Sequence, residues 1–105
     1  MNLAALIDFF RKGKTLEQFY SEQGLSSKSE VIEVYMENPF QLDSNIYFFE
    51  IEETDGKYEF EVDNKNVYNL FDLYYFLDFI EDIKEKEIDS KSAAEILFNY
   101  SIKDK

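Results

Sequence analysis

Asp55-Gly56 stands between two alternating runs, NIYFFEIEE and KYEFEVD, and this pattern constrains the fold more than any other in the chain. Asp-Gly suits a type I′ turn, which needs positive φ at both central residues, and a two-residue turn fixes the register of the strands it joins. With Thr54 opposite Lys57, Ile51 faces Phe60 and Phe49 faces Val62, so the apolar residues of both runs share one side. A slip of one residue would move each set to the wrong face. The same register sets Glu52 against Glu59, Glu50 against Glu61 and Phe48 against Asp63 on the other side. Like charges directly across a ladder are destabilising, on the order of a few tenths of a kcal/mol per pair. A sheet built for stability alone would carry Lys or Thr at half of those positions. The alternation therefore predicts an acidic sheet face that is kept for contact with a partner.

The preceding run, SEVIEVYME, also alternates, with Ile32, Val34 and Met36 on one face and Glu33, Tyr35 and Glu37 on the other. Pro39 closes it, since a proline cannot donate to a ladder. Before the strands, Leu3, Leu6, Ile7 and Phe10 have the i, i+3, i+4, i+7 spacing of one helix face, and Gly13 ends that helix. Thr15 and Gln18 form a capping box for a short second helix bearing Leu16, Phe19 and Tyr20, with Gly24 as its stop. After the strands, residues 67 to 86 read as one long helix. A final helix starts near Ser90 or Ser92, with Ser92 and Glu95 as a second capping box and Ala93, Ile96, Leu97 and Tyr100 as its apolar stripe. The expected fold is α+β, in the order α-α-β-β-β-α-α: a three-stranded antiparallel meander with helices packed on one face, forming one domain over residues 1–105.

On a helical wheel the long helix has two stripes. Leu70, Leu73, Phe76, Leu77 and Ile80 make an aliphatic and aromatic arc suited to the core, whereas Tyr68, Asp72, Tyr75, Phe79 and Asp82 fall on the opposite arc. The acids solvate the second arc but do not account for its aromatics. Either the other helices cover it, or it is partly exposed and anchors a partner.

Charge sharpens that choice. The net charge is −12, and residues 30–63 carry eleven acids against Lys57 alone. A field this concentrated disfavours free nucleic acid and anionic membrane, and steers basic partners. Cys and His are both absent, which removes disulfides, thiolate nucleophiles, the usual metal ligands and the usual general base near neutral pH. The three glycines are isolated, so no phosphate loop is present, and paired carboxylates on a solvated face have no pocket to split their pKa values. Glu59, Glu61 and Asp63 would offer a hard cation only weak, nonspecific ligation. No catalytic residue, resident metal or cofactor is expected. MNLAALIDFF lacks a basic n-region and no run approaches the roughly 18 to 20 apolar residues of a membrane span, so a cytoplasmic protein is expected.

In YFFEIEETDGKYEFEVD and NLFDLYYFLDFIEDI, together with its size, the chain resembles the immunity proteins of bacterial contact-dependent inhibition and polymorphic toxin systems. The resemblance implies a small, acidic, Cys-poor cytoplasmic α+β domain that neutralises one cognate toxin, and it transfers no site residue. Stoichiometric occlusion of a basic toxin nuclease is the expected function. The residues expected to carry it are Glu33, Tyr35, Glu37, Glu50, Glu52, Glu59, Glu61 and Asp63 on the sheet, and Asp72, Tyr75, Phe79 and Asp82 on the helix. The alternatives are an acidic adaptor in a larger assembly and a DNA mimic whose carboxylates stand in for phosphates. Either a monomer or a homodimer through the helix stripe fits the sequence.

Overall fold

A computed structural model describes residues 1–103 of the chain, with side chains described through Ser101. Asp104 and Lys105, the last two residues of the expected domain, lie outside the described residues. The elements run α1 (Leu3–Arg11), α2 (Leu16–Gln23), β1 (Ile32–Glu37), β2 (Ile46–Glu50), α3 (Ile51–Thr54), β3 (Glu59–Val62), β4 (Lys65–Asp72), α4 (Leu73–Ile83) and α5 (Ser90–Lys103). The fold is α+β, as expected, but its sheet has four strands in the order β2-β1-β4-β3, all antiparallel, rather than a three-stranded meander.

The N-terminal helices form where their caps place them. Asn2 Oδ1 accepts the Ala5 N–H at 2.9 Å and starts α1. Thr15 and Gln18 make the reciprocal capping box of α2, and Gly24, at φ 68°, ends it in the left-handed conformation that glycine tolerates best. Leu3, Leu6, Ile7 and Phe19 are buried against Ile32, Val34 and Met36 of the sheet. Aromatic edges lock this layer: Phe19 meets Phe48 at 4.8 Å in a T-shape, and Phe10 meets both Phe19 and Phe76.

The Asp55-Gly56 turn forms, but its hairpin does not. Asp55 and Gly56 both have positive φ, and Lys57 N–H donates to the Thr54 carbonyl at 3.0 Å. However, Ile51–Thr54 coils into the single helical turn α3, so β2 pairs with β1 and β3 pairs with β4. The two runs end at opposite edges of the sheet. The hairpin that does form a two-residue turn is Val62–Lys65, through Asp63 (φ 50°) and Asn64 (φ 68°), residue types that visit left-handed φ more readily than most.

β4 also takes residues that the wheel assigned to a helix. Lys65–Asp72 is strand, and the helix begins only at Leu73, where Asp72 caps it by accepting the Tyr75 N–H at 2.8 Å. Likewise Asp89 accepts the Ser92 N–H at 2.7 Å and takes the capping role expected of Ser92. Along β1 and β4, Val34 pairs with Phe71 but Tyr35 pairs with Asn69, leaving Leu70 as an extra residue. Such a bulge bends and twists a sheet.

The bend is large. In a flat sheet β2 and β3 would lie about 14 Å apart, three interstrand spacings of ~4.8 Å. Yet the rings of Phe49 on β2 and Phe60 on β3 are 5.0 Å apart, and both touch Tyr35 between them, at 5.7 Å and 4.9 Å. The sheet is a half-barrel, and its concave side holds a small second core of Tyr35, Phe49, Phe60 and Val67. The side expected to be solvated and acidic is therefore partly interior.

Glu33 belongs to that interior. It is 8% exposed, and its Oε1 accepts the Thr54 hydroxyl at 2.7 Å while Oε2 accepts Asn69 Nδ2 at 2.7 Å. The Tyr35 hydroxyl donates to the Lys57 carbonyl and lies 3.4 Å from Glu33 Oε1. Because Thr54 is buried and supplies a donor to a buried carboxylate, Thr54→Val is expected to cost about 1–3 kcal/mol in urea unfolding. Beside a solvated hairpin turn the same change would stay within about 0.5 kcal/mol, and that result would contradict this architecture.

Candidate functional site

The acids expected on one sheet face have separate fates. Glu33 and the ring of Tyr35 are buried in the half-barrel and are not available to a partner as a flat surface. Glu37 pairs with Lys65 at 3.1 Å, and Tyr47 approaches it at 3.4 Å. Glu50 sits opposite Ile32, on the side facing the helices, and reaches Ser26 N–H at 3.4 Å. Glu52 is on α3, not on a strand; it accepts the Ser29 hydroxyl at 2.6 Å and the Glu30 N–H at 3.1 Å, holding the loop before β1. Glu59 and Glu61 are exposed on the edge strand β3, on the side away from Phe60, and Asp63 is exposed in the tight turn. The repulsive pairs Glu50–Glu61 and Glu52–Glu59 do not exist, because those strands are not neighbours. The structure thus leaves Glu59, Glu61 and Asp63 as the exposed sheet acids of the expected set.

The helix residues are brought together more closely. Tyr75, Phe79 and Asp82 line a groove of about 520 Å3 between α4 and α5, whereas Asp72 stands at the cap just before α4. Leu73, Phe76 and Ile83 occupy the buried face of α4, which leaves Tyr75 44% exposed and Phe79 half-buried. Tyr75 and Phe79 are one helical turn apart, and so are Asp78 and Asp82, which gives the α4 wall an apolar row beside an acidic row. Ile96 and Tyr100 form the α5 wall, with Ile88 and Lys86 at the connecting end.

Ile96 and Tyr100 were expected in the core stripe of α5. Ala93 and Leu97 of that stripe are buried, together with Ala94, but Ile96 stands 41% and Tyr100 60% exposed. Two adjacent alanines let α5 pack closely through its small face, so the larger Ile96 and Tyr100 turn outward. The Ala93-Ala94 pair was the signal for this arrangement. Asp78, Lys86 and Ile88 carried no signal of their own.

Hydrogen bonding shapes the titration of several of these groups. The Lys65 ammonium beside Glu37 holds its carboxyl below the usual range, and the Ser29 hydroxyl with the Glu30 N–H does the same for Glu52. Burial pushes the Tyr35 phenol up, and a hydrogen bond to Glu59 raises that of Tyr68. No group of three or more Asp or Glu among the described residues is placed to hold a metal ion. No helix among them is long and apolar enough to cross a membrane.

The lowered carboxyls of Glu37 and Glu52 have a definite sign. Each stabilises the fold above the unfolded carboxyl pKa of about 4.3, and that contribution is lost as pH falls through the lower folded value. In urea titrations across this range, Glu37→Gln and Glu52→Gln are each expected to flatten the acid-side loss of stability. An unchanged acid limb in both variants would contradict these interactions.

No protein-family model, curated protein or solved structure matches this chain.

Proposed function

We propose that this protein is a stoichiometric binding protein that docks a basic partner along the groove between α4 and α5. The observation that carries the reading is the pairing of aromatic side chains with carboxylates in one groove: the exposed Tyr75 and Tyr100 and the half-buried Phe79 beside Asp78 and Asp82. Tyrosine supplies a rigid apolar surface with a polar tip, and aromatic residues are enriched where proteins meet. The carboxylate row selects a cationic rim and raises the association rate. A basic amphipathic helix or loop with one or two apolar anchors fits such a groove.

Within that class, an immunity protein that plugs a toxin nuclease is the specific reading. It is supported by the resemblance of YFFEIEETDGKYEFEVD and NLFDLYYFLDFIEDI, and by the net charge of −12. A nuclease groove that attracts phosphates attracts carboxylates for the same reason. The chain carries neither His nor Cys, in keeping with binding rather than turnover.

The groove and the β3 edge make opposite predictions. Immobilised protein is expected to retain one basic nuclease in equal amount, and the nuclease should be inactive in the complex. Asp78→Lys with Asp82→Lys should weaken retention at least about tenfold, near 1.4 kcal/mol, whereas Glu59→Lys with Glu61→Lys should leave it close to wild type. Retention of neutral proteins only, or of a nuclease that stays fully active, would sink the inhibitor reading. Tyr75→Ala should unfold within about 0.5 kcal/mol of wild type, because the ring is exposed, yet lose about 2 kcal/mol or more of binding.

A further inference from the structure

Beyond the Asp72 end of α4 a second cleft of about 440 Å3 opens, and Tyr75 lines both it and the groove. Glu33, Asn69 and Asp72 line it together with the apolar walls of Ile51 and Phe71. Glu33 is more than nine-tenths buried, and every hydrogen bond it accepts comes from a neutral group. Among the described residues its Oε2 accepts from Asn69 alone, whereas a carboxylate oxygen can accept about two donors. Among the described residues neither Glu33 nor Asp72 forms an ion pair; the pairs present are Glu37–Lys65 and Glu81–Lys84. A buried carboxylate without a cation is costly, and a cation that enters the cleft relieves that cost.

The walls narrow the choice of cation. The Tyr75 ring lies 5.8 Å from that of Phe71, tilted by 33°, and is exposed at the cleft. An aromatic face next to two carboxylates suits a planar guanidinium, which stacks and donates in a fork, better than a compact, strongly hydrated ammonium. We infer that this cleft receives an arginine side chain of the basic partner. The guanidinium donates to Glu33 Oε2 and to the Asp72 carboxylate, and it stacks on Tyr75. The source of the arginine rests on the groove reading, since a partner seated against Tyr75 reaches the cleft; the chemistry of the cleft does not.

The test separates the two. The free protein is titrated with N-acetylarginine amide and followed by amide NMR, in parallel with the neutral citrulline analogue and N-acetyllysine amide. Saturable shifts in the millimolar range, centred on Asn69, Asp72 and Tyr75 and seen with arginine alone, are the expected result. Asp72→Asn keeps the helix cap, because Asn caps as well as Asp, and should weaken the response at least about tenfold. Glu33→Gln should do the same, and if that variant does not fold, Asp72→Asn carries the decision. Shifts spread evenly over the acids of α4 and β3, equal binding of the lysine amide, or a full response in Asp72→Asn would each overturn the inference. A captured partner that binds Asp72→Asn at full strength, but not the Asp78→Lys/Asp82→Lys variant, would overturn the arginine cleft and leave the groove standing.

Discussion

The carboxylate of Glu33 is held by donors from two other elements, and the shape of the molecule follows from that. Thr54 comes from α3 and Asn69 from β4, while Tyr35, next but one along β1, fastens its hydroxyl to the Lys57 carbonyl. A buried carboxylate must be satisfied by hydrogen bonds, and here the donors lie on segments far apart in the sequence. Satisfying it draws the 51–58 segment across the concave side of the sheet. The Phe49 and Phe60 rings then close on Tyr35 from opposite edges. Extending β2 into a hairpin with β3 would withdraw Thr54 from Glu33 and strip Phe60 from Tyr35 together.

This arrangement also divides the acids by role. Glu33 works inside the fold, Glu37 and Glu52 tie a strand and a loop to it, and Glu59, Glu61 and Asp63 remain exposed at one edge. The sheet's second face is filled with aromatic side chains, and Tyr58 stands exposed next to Glu59 at the sheet edge, but the groove with aromatic walls beside acids lies between the helices. There α5 packs through Ala93, Ala94 and Leu97, and the walls of the groove are left to Tyr75, Phe79, Ile96 and Tyr100. The proposed binding site is thus a consequence of how the helices pack, not a decorated sheet.

Much of this was legible in the residues, and the misreadings have physical causes. The stop of α1 at Gly13, both caps of α2, the alternation of β1 and the left-handed turn at Asp55-Gly56 are local, and local rules found them. The ladder across that turn is non-local, and it was decided by a buried polar group whose partners no short window contains. The repeated Glu–Glu oppositions in the expected hairpin were a warning against the register, rather than a mark of a working surface. Asp63-Asn64 between EFEV and KNVY was the true hairpin signal, and Asp72 three residues before Tyr75 was a helix start. Reading 67–72 as helix followed from an apolar density that fits either period over so short a run. On the helix stripe, Tyr75, Phe79 and Asp82 were correctly grouped because they lie inside α4, and Tyr68 and Asp72 were not because they precede it.

The central claim is that the α4–α5 groove, not the acidic sheet edge, meets the partner. Hydrogen exchange of the protein, free and in complex with its captured partner, tests this most directly. The account predicts slowed exchange over residues 75–83 and 93–101, with residues 59–63 unchanged. Slowed exchange confined to 59–63, with both helices as in the free protein, would contradict it.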